Sequence, residues 1–264
     1  MTEAIPAVLA DLHNHLVPGV DDGSRSLDES LRHLRALRAE GVSTLATSSH
    51  LSGWLVYDGR LADRVRRLEA GFELLHAACA DQDDVPELRF SQEILTPTPD
   101  VVEKVFATPG VGLRGTDYAL CELGFDPEGD PVDVVRAVLA AGKRVVIAHP
   151  ERYRQNGLPW PIEPVRALKD AGALLQVNCG SLLGHYGRGH EALGWRMIEE
   201  GLADLLGSDH HADVHPVSPR ETARALVARG AAEQARLLLS ENPLRLLGNL
   251  EPLAVPALGT EAAA

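Results

Sequence analysis

The chain has 264 residues, 45% hydrophobic and 24% charged, enough for one large domain with a substantial buried core and too apolar for a disordered chain. With 38 acidic against 25 basic residues and a formal net charge of −13, it lacks the positive footprint that duplex nucleic acid requires. No apolar run approaches the roughly 20 residues of a membrane-spanning helix.

In chain order, short apolar or β-branched runs alternate with helical patterns. PAVLADLHNH (6–15) reads as a first strand, followed by the helix LDESLRHLRALRAEG (27–41), where Leu27, Leu31, Leu34 and Leu37 recur at helical spacing and Gly41 ends the pattern. STLATSSH (43–50) follows, with a helix over about 59–79, and then ELRFSQEIL (87–95) and DYALCELGF (117–125). After a helix over 130–141 come RVVIAHP (144–150), a helix over 161–171, ALLQVNCG (173–180), a helix over 190–200, ADLLGSDHH (203–211) and a helix over 219–240. TPTPD (96–100) and GLPWP (157–161) read as turns before helices, and the terminal EAAA as a fraying end. Seven strand–helix units without a linker predict a single α/β domain spanning 1–264, with its core at about 9–247. The expected architecture is a distorted TIM-like (β/α)7 barrel with a parallel sheet.

The start MTEAIPAVLA carries no basic segment ahead of its apolar stretch, so a cytoplasmic location is expected. Cys79, Cys121 and Cys179 are odd in number and lack CxxC spacing; they read as buried small residues.

Ionisable residues gather at the C-terminal ends of the predicted strands, where parallel barrels build active sites. The first strand ends in Asp11-Leu-His13-Asn-His15, the second in His50 and the fifth in His149; the third carries Glu93 and the fourth Glu122; the seventh ends in Asp209-His210-His211. Side chains alternate along a strand, so His13 and His15 share a face, as do Asp209 and His211, and each pair can turn toward one barrel mouth. A single His or Glu at a strand end is ordinarily a solvated polar residue. Six strands bearing them together point to a metal site.

DLHNHLVPGVDDG, SSH, SQEIL, CELGF, IAHPERY, QVNCGSLLG and GSDHH, in that order, resemble the PHP (polymerase and histidinol phosphatase) superfamily. Within it the chain is most similar to the bacterial manganese-dependent protein-tyrosine phosphatases encoded with capsule and exopolysaccharide genes, from about residue 9 to SENPLRLL at 240–247. The resemblance implies a barrel of PHP type holding three divalent ions. His13, His15 and Asp209 would hold the first, which shares Glu93 with the second; Glu122 and His149 would complete the second, and Asp22, His50 and His211 the third. Asp22 matches the second aspartate of the family's DDG, where other branches carry histidine.

Nitrogen and oxygen donors without thiolate suit manganese, iron, zinc or magnesium over soft metals, and among these the resemblance implies manganese. Four carboxylates against three divalent ions leave a positive surplus that attracts a phosphoryl dianion. Water on such ions can ionise near neutral pH and attack phosphorus in line while an arginine takes up developing charge. Arg152, three residues past His149, is the first candidate arginine. The family's second phosphate-binding arginine follows the DxH motif in a short segment ending Arg-Pro-Pro; here the segment is longer, ADVHPVSPR, and Arg220 takes that place in order, with Arg188 as the alternative. His210 should turn away from its neighbours, His33 and His76 fall in helical patterns as surface or packing residues, and His185, His190 and His215 sit on rim loops. Trp54 and Tyr57, just after His50, are expected either to wall the site for a phenyl ring or to pack a loop over the barrel.

A thiol-based phosphatase needs arginine six positions after its cysteine, and those positions hold Val85, Pro127 and His185. Neither GxxxxGK[ST] nor GxSxG occurs. The activity that the resemblance implies is metal-dependent phosphomonoester hydrolysis acting on a phosphotyrosine protein, a bacterial tyrosine kinase of polysaccharide export. The alternatives are a small-molecule phosphatase, such as one for histidinol phosphate, and a non-catalytic metal-binding module.

Overall fold

The computed structural model describes residues 5–259, so the terminal EAAA lies outside the described residues. The strands are β1 (Leu9–Asp11), β2 (Val42–Thr47), β3 (His50–Ser52), β4 (Glu87–Phe90), β5 (Glu93–Leu95), β6 (Tyr118–Glu122) and β7 (Arg144–Ala148). A short hairpin, β8 (Arg154–Gln155) and β9 (Leu158–Pro159), precedes β10 (Leu174–Asn178) and β11 (Leu205–Gly207). Every ladder except the hairpin is parallel. The expected α/β architecture is therefore present.

The continuous seven-stranded cylinder is not. The strands form two ladders, β1-β2-β4 and β11-β10-β7-β6-β5-β3. The predicted second and third strands each break, at Ser48-Ser49 and at Ser91-Gln92, and their second halves step into the larger sheet. Short polar side chains offer the backbone an alternative to the ladder. Asn14 N donates to Ser48 Oγ at 2.8 Å, while Ser48 N donates to Asn14 O and Glu93 N to Ser48 O, each at 2.9 Å. β1 and β11 meet beyond their ends through a bridge between Asn14 and His210, with Asp11 accepting from Ser208 N and Oγ at 2.9 and 2.6 Å.

The helices are α1 (Leu27–Ala39), α2 (Leu61–Cys79), α3 (Pro99–Phe106), α4 (Pro131–Ala140), α5 (Ile162–Asp170), α6 (Cys179–Leu182), α7 (Arg188–Glu199), α8 (Pro219–Ala228), α9 (Ala232–Arg236) and α10 (Asn242–Leu247). Ser26 caps α1 by accepting from Glu29 N, and buried Leu34 and Leu37 face the sheet from that helix. TPTPD, expected as a turn before a helix, itself supplies the N-cap Thr98 and the first residues of α3, a helix for which no range was expected. The helix expected over 219–240 is broken: Gly230 at φ 75° separates α8 from α9, and Leu237–Glu241 forms a π turn before α10.

Alternation decides what faces inward. Along β6, Ala119 and Cys121 join the main core, whereas Tyr118 and Leu120 join Leu12, Val146, Leu205 and Leu246 in a separate apolar cluster. Two residues further along that inner face stands Glu122. The interior is thus plugged with hydrocarbon at the N-terminal ends of the strands and turns polar at their C-terminal ends. All three cysteines are buried and unpaired, as expected.

Candidate metal centre and active site

The nine residues expected as ligands converge at the polar end. Glu93 opens β5, Glu122 closes β6 and His50 opens β3, while His13 and His15 lie just past β1 and Asp22 in the loop before α1. His149 follows β7 with φ 34°, and Asp209 and His211 follow β11, Asp209 with φ 53°. Left-handed backbone at two non-glycine residues is strain held in place by its surroundings, a common mark of functional sites.

Glu93 is the hub. Its Oε2 lies 3.5 Å from His13 Nε2, 3.5 Å from His15 Nε2 and 2.9 Å from His50 Nδ1, and its Oε1 lies 2.9 Å from His149 Nε2. Asp209 Oδ1 lies 3.5 Å from His13 Nε2 and 3.4 Å from His15 Nε2. His13 Nε2 and His15 Nε2 are buried and have no hydrogen-bond partner. Buried polar atoms are rarely left so. Separations of 3.4–3.5 Å are long for hydrogen bonds, yet donors about 2.1 Å from one tetrahedral ion stand about 3.4 Å apart. These orphaned atoms therefore fit a shared cation. His15, Asp22, His50 and His211 form a second group with donor atoms within 4.8 Å of one another, and His13 with Glu93 and His149, and His50 with Glu93 and Glu122, form two more.

The electrostatics tell the same story. Burial alone would depress the imidazoles, but Glu93 and Asp209 hold His13 above its ordinary pKa, and Asp209, Asp21 and Glu93 hold His15 well above it. Against the same burial, Asp22 and Glu93 push His50 up to about 10. Glu93 lies well below the usual carboxylate range because His13, His149 and His15 outweigh its burial. Glu122 is shifted upward, by burial first and by the charge of Glu93 second. The cluster holds protons where a cation would otherwise balance its carboxylates.

The cavity above these residues measures about 270 Å³ and is also lined by Phe125, Arg152, Tyr186, Val214 and His215. Arg152 Nη1 donates to Asp209 Oδ2 at 2.6 Å, and its guanidinium lies 4.0 Å from the Tyr186 ring centre and 4.9 Å from that of Phe125. Arg220 is elsewhere: its Nη1 donates to Pro6 O and lies 3.7 Å from where a Cβ on Gly41 would stand, at the N-terminal ends of β1 and β2. The longer loop after His211 carries the chain to the opposite end before α8 begins, which removes Arg220 from the expected pair. Arg188 is exposed at the start of α7 and does not line this cavity.

A profile of the family described as "Capsular polysaccharide synthesis, CpsB/CapC" matches residues 9–248. The chain belongs to the CpsB/CapC family. It is 26% identical over 248 residues to the tyrosine-protein phosphatase CpsB of Streptococcus agalactiae, covering 91% of this chain and 99% of that protein. To the tyrosine-protein phosphatase YwqE of Bacillus subtilis it is 24% identical over 242 residues, covering 91% and 92%. A chain from the crystal structures of YwqE from Bacillus subtilis and CpsB from Streptococcus pneumoniae, described as metal-dependent tyrosine phosphatases, superposes with a TM-score of 0.78 at 25% identity, covering 96% of this chain and 100% of that one.

In this CpsB/CapC chain the aromatic lining of the cavity comes from residues other than Trp54 and Tyr57. Trp54 and Tyr57 are 46% and 52% exposed on the turn after β3, where Tyr57 Oη donates to Asp100, and the rings at the cavity are Phe125 and Tyr186. Of the rim histidines, His215 lines the cavity, His190 Nδ1 donates to Glu151 O at 2.9 Å, and His185 is exposed. His210 turns away as expected, held by Val217 O at 3.0 Å and by His33 Nδ1 at 2.9 Å; His33 is thereby a buried link to Asp213 rather than a simple packing residue.

Several supporting residues went unread in the sequence. Gln176 Oε1 lies 2.6 Å from His13 Nδ1, Asn178 Nδ2 donates to Asp209 Oδ2 at 2.8 Å, and Asp21 Oδ2 lies 3.0 Å from His15 Nδ1. Such partners fix imidazole orientation and tautomer. Their signal was available: Gln176 and Asn178 are polar residues two apart in an otherwise apolar strand, and Asp21 is the first aspartate of DDG. The glycine of that motif is required because a Cβ on Gly23 would stand 1.9 Å from His15 O. Gly207 likewise admits His13, whose Cβ would lie 2.7 Å from a Cβ there.

The two arginines give a direct test of placement. Arg152→Ala is expected to lower kcat/KM for aryl phosphate about a hundredfold, the usual scale for losing one donor to a developing anion. Arg220→Ala should stay within about threefold of the parent. Steady-state kinetics on p-nitrophenyl phosphate checks both, and equal losses would refute the assignment.

Proposed function

We propose that this chain is a metal-dependent protein-tyrosine phosphatase acting in the cytoplasm on a phosphotyrosine-bearing kinase of capsule or exopolysaccharide export. On this reading residues 9–247 form one catalytic domain, a distorted TIM-like barrel of PHP type. His13, His15, Asp22, His50, Glu93, Glu122, His149, Asp209 and His211 would hold three divalent ions, manganese foremost. The observation that carries the reading is a guanidinium set between two aromatic rings at the edge of the buried His/Asp/Glu cluster.

Divalent ions in that cluster supply Lewis acidity and lower the pKa of water bound to them. The chain's own residues do the rest. Arg152 keeps N–H groups beyond the one given to Asp209 and can bind phosphoryl oxygens, while its contact with Asp209 fixes its orientation. Phe125 and Tyr186 offer ring faces to a phenyl ester, and His215 stands at the rim, within reach of a leaving phenolate. Glu93 and the imidazoles of His13 and His15 are buried while His50 and Asp22 stand at the mouth, so the long arm of phosphotyrosine reaches further into the cluster than the short one of phosphoserine.

A peptide panel tests this. Phosphotyrosine peptides are expected to exceed phosphoserine peptides in kcat/KM by at least about tenfold, or roughly 1.4 kcal/mol in transition-state binding. Phe125→Ala should reduce turnover of aryl phosphates more than that of alkyl phosphates. Histidinol phosphate as the best substrate would instead favour a small-molecule phosphatase.

A further inference from the structure

A second cavity of about 290 Å³ adjoins the first and shares Phe125, Arg152 and Tyr186 with it; Arg154 and His190 complete its lining. We infer that this cavity is a substrate subsite for an acidic side chain near the phosphotyrosine, with Arg154 as the specificity-determining cation. The inference rests on the phosphotyrosine-protein reading above and adds to it a preference for substrate sequence.

The lining carries two guanidinium groups and an imidazole and no carboxylate. In a chain of net charge −13, a lining with two guanidinium groups and no carboxylate beside the reaction cavity suits an anionic occupant. Arg152 is shared between Asp209 and the phosphoryl group on the reading above, so Arg154 is the guanidinium left to answer a second anion. Arg152 and Arg154 flank Tyr153, whose side chain is fully buried and accepts from Leu123 N at 3.0 Å through its hydroxyl. Arg154 N donates to Phe125 O at 2.7 Å, which fastens the hairpin to the loop carrying the aromatic wall. The backbone around Arg154 is therefore held at the rim on both sides.

Its side chain is engaged only weakly. Arg154 Nη2 donates to Asp126 Oδ2 at 2.9 Å, but the two side chains are 44% and 55% exposed, and a solvated ion pair of this kind contributes little. A substrate carboxylate can exchange with Asp126 at small cost. The two cavities share one wall of guanidinium and rings, and the nearest side chains on the same face of an extended peptide are two residues apart, about 7 Å.

The test uses the full-length, manganese-loaded protein and three phosphotyrosine peptides that differ only two residues from the phosphotyrosine, on either side, bearing Ala, Glu or Lys. The parent protein is expected to prefer Glu over Ala about tenfold in kcat/KM, with the difference mainly in KM and shrinking as salt rises. Arg154→Ala should bring that ratio to about one, Arg154→Lys should keep most of it, and Arg154→Glu should turn the preference toward the Lys peptide. A second phosphotyrosine at the same position that outperforms Glu would support the anionic subsite with a phosphate as its occupant. A ratio within twofold of one in the parent, or one unchanged in Arg154→Ala, overturns the inference. Failure to hydrolyse any of the peptides would instead count against the phosphotyrosine reading.

Discussion

Replacing Glu93 with alanine is expected to lower kcat/KM for p-nitrophenyl phosphate by a thousandfold or more, about 4 kcal/mol of transition-state stabilisation. The reason is the number of groups that this carboxylate faces: its two oxygens lie within 3.5 Å of donor nitrogens on His13, His15, His50 and His149. Removing it takes away the centre around which those imidazoles are arranged. His210 provides the control, because it belongs to the same motif but points away. His210→Ala loses hydrogen bonds to Val217 and His33, with a cost in stability of about 1–3 kcal/mol, and its activity per folded molecule should stay within about tenfold. Circular dichroism, metal content and kinetics on both variants separate the two effects. Similar activity losses in folded proteins would show that Glu93 is no hub.

Chelation should have an effect as large. Exhaustive treatment with a strong chelator is expected to abolish phosphatase activity, and manganese should restore it. Retention of metal should weaken as the pH is lowered. The sign follows from the metal-free site: Glu93, Asp209 and Asp22 hold His13, His15 and His50 protonated above the ordinary imidazole range, so a cation must displace those protons, and more acid strengthens the competitor. Iodoacetamide should do little, since Cys79, Cys121 and Cys179 are buried and burial pushes the Cys121 thiol up to about 12. Activity that survives chelation but not alkylation would overturn the metal mechanism.

Eight of the clustered residues were legible in the sequence because they sit near the C-terminal end of a predicted apolar run, and a parallel sheet delivers all such ends to one side, whereas Asp22, in the loop before α1, was indicated only by the resemblance of the DDG motif. Alternation also identified which way His210 faces. The arginines were a different matter. Arg152 follows a strand end by a few residues and its place could be read, whereas Arg220 is separated from β11 by a loop long enough to reach the other end of the molecule. Trp54 and Tyr57 stayed open between walling the site and packing over the barrel, because a position soon after His50 says nothing about where a turn points its rings.

By itself the sequence determined the α/β class, the buried cysteines and the polar ends of the strands, since strand periodicity and residue chemistry are local properties. Tertiary structure decided that the ladder divides at Ser48-Ser49 and Ser91-Gln92, that Phe125 and Tyr186 supply the aromatic wall, and that Gln176, Asn178 and Asp21 steady the cluster. The divided ladder and the steadied cluster depend on which hydrogen-bond partner a polar group finds across the fold, and the wall on where two distant loops place their rings. Such partners can lie far away in sequence, as Gln176 does from His13, and no local pattern encodes their meeting.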